Sequence, residues 1–292
     1  MNGTINVNKP VGFTSHDVVA KLRGILSTKR IGHTGTLDPD ATGVLPICVG
    51  TATKAAEFLT AEQKEYVAEV TLGAETDTQD ASGTVLRFAD VKVTEEEVSA
   101  AVRQFVGEIA QIPPMYSAIK QDGKRLYELA REGKTVERKP RMVTIDAIVI
   151  ESFDLENKKF SMRVRCSKGT YIRTLCRDIG ERLGCFAHMS ALCRTQSGRF
   201  RIEDAYTLPE IEAMTAAGDT SFLTPVDWVF DALPALYLSA RKAQKMCNGV
   251  RVSTPGMEEG RTYRVYDEKG CFLTVSKAEG GVLKIEKTFY QG

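Results

Sequence analysis

The chain has little of what holds metals or disulfides. Its three histidines, His16, His33 and His188, are never four residues apart, so a histidine-based metal site is not expected. Its seven cysteines (48, 166, 176, 185, 193, 247 and 271) are odd in number and include no CxxC pair. They read as small buried hydrophobes in a reducing compartment, not as a disulfide framework or a zinc site. No run approaches the ~20 apolar residues of a membrane span, and the N-terminus lacks the basic-then-apolar pattern of a secretory signal. The cytoplasm is therefore the expected location, with no membrane contact. Any large excess of one charge is also missing: 39 Lys and Arg against 38 Asp and Glu leave a net charge of +1, which by itself argues weakly against a nucleic-acid partner.

What is present is charge unevenly spread. Residues 158–201 hold eleven Lys and Arg against two acids, and residues 120–141 hold eight against four. Residues 202–232 carry seven acids and no base, and residues 57–97 eleven acids against three bases. Such segregation fits either an electrostatic footprint for phosphates or uneven solvated faces. The 292 residues, 42% hydrophobic and 26% charged, suit a soluble globular protein of two domains.

Elements can be placed from patterning. A strand is expected at Ile5–Val7, then a helix capped by Thr14 or Ser15 with Val18, Val19, Leu22, Ile25 and Leu26 on one face. An irregular loop over 30–46 precedes a strand at Leu45–Val49 and a helix from about Thr51. Tyr66, Ala68, Val70 and Leu72 alternate as a strand face. Thr94 with Glu97 forms a capping box for a helix carrying Val98, Ala101, Val102 and Phe105. After the turn Asp122-Gly123 come a short charged helix and strands at about 142–153 and 159–166. A helix then carries Ile172, Leu175, Cys176, Ile179 and Leu183, and another spans Leu208–Ala217. From about Pro234 short strands and turns dominate, with one helix after Ser239. Without regular βαβ alternation, this predicts an α+β fold on a mostly antiparallel sheet, followed by a small β-rich module.

The most informative stretch is RIGHTGTLDPDATGVLPICVGTATK, residues 30–54. Glycines 32, 35 and 43 permit tight turns and close approach to a ligand. Pro39 pushes Asp38 toward an extended conformation, so its carboxylate can project as a nucleophile or base. The plain alternative is an Asx-turn, the usual fate of an Asp-Pro pair. The segment lacks the GK[ST] of a P-loop, and Asp38 with Asp40 is too sparse for a calcium loop.

GHTGTLDPDATGVLP resembles the signature of the tRNA pseudouridine synthase B (TruB) family, whose Leu-Asp-Pro aspartate is catalytic. Lys9-Pro10 with Gly12-Phe13-Thr14-Ser15 is similar to the family's opening motif, and Lys64-Glu65-Tyr66 to its second. CSKGTYIRTLCRDIG (166–180) and AHMSALCRTQSG (187–198) are similar to its third and fourth. Five motifs stand in the family's order over about 190 residues.

The resemblance implies a tRNA pseudouridine synthase that isomerises the T-loop uridine at tRNA position 55 without a cofactor or metal. Asp38 would be the catalytic carboxylate, working ionised. Arg173 would hold it in a bidentate fork and keep its pKa low. Tyr66 would stack on the target base and help to remove the C5 proton. His33, Tyr171 and Leu192 match further substrate-contacting positions. The partner would be the T-arm of tRNA, bound by a monomeric protein. The domains would be a catalytic one over 1–232, with an RNA-gripping insertion at about 110–140, and a PUA-like RNA-binding one over 233–292. A cut near residue 234 spares every motif, so a truncated chain would keep some activity on a T-loop hairpin.

Two other functions use the same residues. One is a non-catalytic protein that binds RNA and helps it fold. The other is a nucleoside hydrolase or glycosylase with Asp38 as nucleophile, distinguished by release of free uracil.

Overall fold

The structure, a computed structural model, describes residues 1–60 and 62–290. In the first part of the chain, β1 (Gly3–Lys9) leads into α1 (Ser15–Ile25). Thr14 caps that helix reciprocally with Asp17, satisfying two of its orphan N–H groups. The long loop expected over 30–46 is shorter than the composition suggests. Its start forms β2 (Ile31–His33), paired with β3 (Thr42–Val49), so only residues 34–41 are irregular. A 3-10 turn over Gly50–Ala55 opens α2 (Ala56–Thr60), and β4 (Lys64–Leu72) follows.

The hairpin β5 (Ala74–Thr76) and β6 (Val85–Phe88) precedes α3 (Glu95–Arg103), which starts with the Thr94–Glu97 capping box. Next come β7 (Gly107–Gln111), the small hairpin β8 (Lys120–Gln121) and β9 (Lys124–Arg125), and α4 (Leu126–Arg131). The long pair β10 (Arg141–Asp154) and β11 (Lys159–Cys166) leads to α5 (Ile172–Arg182), β12 (Ala187–Ser197), β13 (Phe200–Arg201) and α6 (Leu208–Ala216). The last part holds β14 (Ala235–Leu238), α7 (Ala240–Cys247), β15 (Thr262–Asp267), β16 (Phe272–Glu279) and β17 (Val282–Thr288).

The strands of the first part join one sheet in the order β1-β3-β12-β4-β11-β10-β7, with β13 on β12 and β2 on β3. Its pairs are antiparallel except β12 with β3, which run parallel through Cys193–Thr42 and Arg194–Gly43. Gly43 makes that crossing possible. It sits at φ +97, and a Cβ there would lie 2.3 Å from the Arg194 carbonyl oxygen, so only glycine fits.

Two apolar clusters form on this sheet. One gathers Ala68, Val70, Ile145, Met162 and Val164 under α3 and α5. The other gathers Ile5, Val7, Leu45 and Ile47 with Val18 and Leu22 of α1 and Ile211 of α6. Tyr66 and Leu192 pack against both, which marks the seam between the two halves.

The second sheet, β14-β15-β16-β17, is joined to the first by an apolar core. Val44, Cys48, Leu59, Val226 and Phe230 cluster with Val275 and Phe289. Phe230 lies 5.0 Å from Phe58 and 5.3 Å from Phe289, ring centre to ring centre. This contact bears on the expectation that a chain cut near residue 234 keeps some activity on a T-loop hairpin, because the motifs it retains would lose part of their supporting core. Removal of residues 234–292 uncovers rings that each bury ~150–250 Å², and at ~25 cal/mol per Å² the loss is several kcal/mol. The truncated chain is expected to melt well below the full chain and to aggregate. A monodisperse fragment with an unchanged Tm would show that this contact is no core.

The charge map also changes once the chain is folded. Lys159 pairs with Glu69, Arg163 with Glu65 and Glu151, Arg177 with Asp178, and Arg199 with Asp231. Apart from Asp178 these acids lie outside the stretch, so part of the basic excess of 158–201 is neutralised, while Arg165, Lys168 and Arg182 stay exposed.

Candidate active site

The loop of residues 34–41 is held at three points. Leu37 is buried, and its N–H donates to Ser15 Oγ at 2.9 Å. Gly12 N–H and the Lys9 ammonium both donate to the Pro39 carbonyl, at 2.9 and 3.0 Å. Lys9 is completely buried and also donates to the carbonyls of Pro10 and Phe13, at 2.9 and 2.5 Å. Burial pushes its pKa down to about 8, although Asp40, Asp38 and Asp17 pull it upward. Sequence reasoning placed Lys9 in a motif without a role; its three carbonyl contacts show that it clamps the loop that carries Asp38.

The Asx-turn alternative can now be decided. Ala41 N–H donates to the backbone carbonyl of Asp38 at 3.1 Å, so a main-chain turn forms and leaves the carboxylate free. That carboxylate meets Arg173, with Nε 3.0 Å from Oδ2 and Nη2 3.4 Å from Oδ1. The pairing is the two-pronged one that fixes carboxylate geometry.

Arg173 sits in the first turn of α5 and is itself almost wholly buried. Tyr171, the N-cap residue, has its backbone clamped by Gln111, which accepts from Tyr171 N–H at 3.0 Å and donates to its carbonyl at 3.2 Å. The remaining guanidinium donors reach the Thr78 and Tyr116 carbonyls at 3.1 and 2.8 Å. Nη1 also lies 3.5 Å from Asp80 Oδ2. Asp80 was missed from the sequence. Its other oxygen accepts from Thr78 Oγ1 at 2.7 Å and Ser82 N–H at 3.0 Å, a local Thr-x-Asp-x-Ser pattern that reads only as a turn.

The expected low pKa of Asp38 is not what the site produces. Burial raises it above the ordinary carboxylate value, Arg173 opposes that, Asp80 and Asp40 add to the rise, and Lys9 opposes it. The carboxylate still exposes 41% of its side-chain surface, so a substrate can reach it. If Asp38 works ionised, single-turnover rates should fall on acidification at a pH above the usual carboxylate value of about 3.9. Asp80→Asn removes a neighbouring negative charge and leaves Arg173 to Asp38, so the acid limb should move to lower pH. A limb that stayed put or moved upward would assign it to another group.

Tyr66 on β4 lies opposite Arg194 of β12 and Val164 of β11. Burial raises its phenol pKa, and the Arg194 charge opposes that. His33 has its pKa lowered by burial first, then by Arg194 and His16. Its Nδ1 accepts from Gly35 N–H at 3.4 Å. The structure therefore brings Asp38 and Arg173 into contact, puts Tyr66 and Leu192 at the seam, and sets His33 near Arg194. Among the described residues neither His33 nor Tyr171 bonds to Asp38. No cluster of three or more His, Cys, Asp or Glu placed to hold a metal ion occurs among them, and no helix is long and apolar enough to cross a membrane.

Residues 23–172 match the model of the TruB family pseudouridylate synthase N-terminal domain. The chain belongs to the TruB family. Residues 173–231 match the tRNA pseudouridylate synthase B C-terminal domain, and residues 234–285 the C-terminal model of pseudouridine synthase II TruB. The chain is similar to tRNA pseudouridine synthase B of Bacillus anthracis, 51% identical over 86% of this chain and 84% of that one. It is 46% identical to the protein of that name from Geobacillus thermodenitrificans, over 99% of this chain and all of the relative. Among solved structures it resembles a Cbf5-Nop10-Gar1 complex, with a TM-score of 0.72 and 28% identity, covering 99% of this chain and 85% of that one. An H/ACA RNP bound to a substrate RNA containing 2'-deoxyuridine matches with a TM-score of 0.71 and 26% identity, over 99% of this chain and 85% of the other. As a TruB-family pseudouridine synthase, the chain is an isomerase, and its fold is that of the family.

Proposed function

We propose that this tRNA pseudouridine synthase converts the T-loop uridine at position 55 to pseudouridine, with Asp38 as the catalytic carboxylate. The observation that carries the reading is the two-pronged Asp38–Arg173 pair beside Tyr66 and Leu192, on a seam open to solvent at the carboxylate. The uridine leaves its stack to reach the seam, at a cost of a few kcal/mol offset by stacking and phosphate contacts. Leu192 packs under the base, Tyr66 stacks on it, Tyr171 lines the pocket, and His33 stands where the base leaves the RNA. Asp38 acts at the sugar–base bond; the freed uracil rotates and rejoins the sugar through C5, and Tyr66 takes the C5 proton. Since no atom is gained or lost, the reaction needs no cofactor.

The exposed bases Lys120, Lys124, Arg125, Arg131 and Lys139 belong to an insertion over about 110–140 that grips the T-arm by its shape and phosphates. Residues 1–232 form the catalytic domain and 233–292 a PUA-like RNA-binding domain. The protein works as a monomer in the cytoplasm.

The test is to incubate the purified protein with unmodified tRNA and map pseudouridine at single-nucleotide resolution. One new pseudouridine in the T-loop, with no free uracil, is expected. Free uracil would mean a glycosylase. Unmodified but faster-folding tRNA would mean a non-catalytic RNA-folding protein.

A further inference from the structure

The cleft holds a buried cation with no carboxylate of its own. Arg194 is 1% exposed and is the largest of the fully buried side chains. Its Nε donates to the Val44 carbonyl at 2.7 Å and its Nη2 to the Gly35 carbonyl at 3.2 Å. Among the described residues no Asp or Glu pairs with it. A charge buried with neutral partners alone is costly, so its retention calls for an anion at some stage of the work. Two features show where that anion forms. Arg194 is the cross-strand partner of Tyr66, which puts both side chains on one face of the sheet within reach of each other, and its charge acts on the phenol. Gly35 and Val44, which accept its other bonds, bracket the loop that carries Asp38.

We propose that Arg194 is a positioning residue that acts through Tyr66, as the counter-ion of a transient Tyr66 phenolate. This rests on the reading of Tyr66 as the acceptor of the C5 proton. The phenol first gives its proton to solvent. Once the sugar is bonded to C5, that carbon still carries its hydrogen. The phenolate oxygen takes this proton, and the C–H electron pair restores the C5=C6 double bond. N1, released from the sugar, takes a proton from solvent, so the base leaves with its atoms unchanged in number.

The surroundings need such a counter-ion. Asp38, like burial itself, acts to keep the phenol protonated, while Val164 on β11 brings no charge. Arg194 alone acts in the other direction. The other titratable groups near Arg194 (His33, Lys9 and Lys64) are each made less basic by it, and none offers it a negative partner. A phenolate formed without Arg194 would stand as an uncompensated buried anion near the Asp38 carboxylate. With Arg194 it gains a charge-assisted hydrogen bond.

Single-turnover rates with excess enzyme, from about pH 6 to 10, decide the matter for Arg194→Gln, Arg194→Lys, Tyr66→Phe and Arg194→Gln with Tyr66→Phe. Arg194→Gln is expected to lose ~10²-fold at neutral pH, in the range of general acid–base groups, with a loss that shrinks as pH rises. Its tRNA Kd should change less than about tenfold. In the Tyr66→Phe background the same change should add less than about threefold, because the phenolate it would stabilise no longer forms. A pH-independent loss that multiplies with Tyr66→Phe would overturn the proposal and make Arg194 a prop for the loop. Arg194→Lys keeps the charge in the pocket and serves if the neutral variant does not fold. It should lose about tenfold at neutral pH and recover as pH rises, and a flat loss overturns the proposal here too. Tyr66→Phe alone separates the two readings: if it keeps more than about a third of the wild-type rate, Tyr66 is a stacking platform and the phenolate falls with it. If it is slow while Arg194→Gln acts independently, only the Arg194 proposal fails.

Discussion

Asp38→Asn is expected to abolish pseudouridine formation while tRNA affinity changes by less than about tenfold, or ~1.4 kcal/mol. Asparagine nearly preserves the volume and keeps one oxygen toward Arg173, but it can neither attack as an anion nor accept a proton. The loop should hold, because its clamps are the Lys9 ammonium on Pro39, Gly12 N–H on the same carbonyl and Ser15 on Leu37, none of which uses the Asp38 side chain. Arg173 also keeps Asp80 and two carbonyls. The direction of the Asp38 pKa shift gives a second readout. A carboxyl raised in the folded state binds its proton more tightly there than in the unfolded chain. Its favourable contribution is full below the unfolded value, near 3.9, and is lost as pH rises through the folded one. Above that folded value the ionised Asp38 adds nothing to stability, so there the Asn variant should melt no lower than the wild type. Near-normal turnover would remove Asp38 from the chemistry; an intact affinity with a collapsed Tm would mean that the carboxylate is structural.

Arg173→Lys should lower single-turnover rates by ~10²-fold or more, since a misplacement of about 1 Å at a reacting group costs on that order. Lysine keeps the charge and loses the fork. From the sequence alone the whole effect belongs to turnover. The structure adds a stability term, because the guanidinium ties together the Asp38 loop, the Thr78–Asp80 turn and the Tyr116 carbonyl. An ammonium cannot reach all of these, and each lost hydrogen bond costs about 1 kcal/mol. Differential scanning calorimetry beside single-turnover kinetics separates the two effects. Wild-type rates would mean that Asp38 needs no fork.

Local signals and distant contacts were legible to different degrees. The cap at Thr14 or Ser15, which the structure gives to Thr14, the capping box at Thr94, the alternation of residues 66–72 and the helical face of Ile172, Leu175, Cys176 and Ile179 all became the elements expected. Each depends on neighbours within a few residues, which is where propensity and periodicity act. β12 was not legible in this way. AHMSALCRTQS does not alternate cleanly, because the strand lies between a parallel and an antiparallel neighbour and shifts register twice against β4. Its place in the sheet is set by partners more than a hundred residues away.

The site divides along the same line. The motifs named Asp38, Tyr66, Arg173, His33, Tyr171 and Leu192 because residue identity and spacing survive in the linear chain. That Asp38 and Arg173 meet is a contact across 135 residues, and folding alone creates it. Lys9 and Arg194 lie inside the quoted motifs and Asp80 in a pattern that reads as a turn, yet nothing local gives them a role; they matter through the carbonyls and side chains that long-range packing sets against them. The sign of the Asp38 shift is the clearest case. A carboxylate and its arginine, read as a pair, predict a lowered pKa. In the folded cleft, burial and two further acids outweigh that pair, because the balance of desolvation and Coulomb energy depends on everything that surrounds the group and not only on its nearest partner.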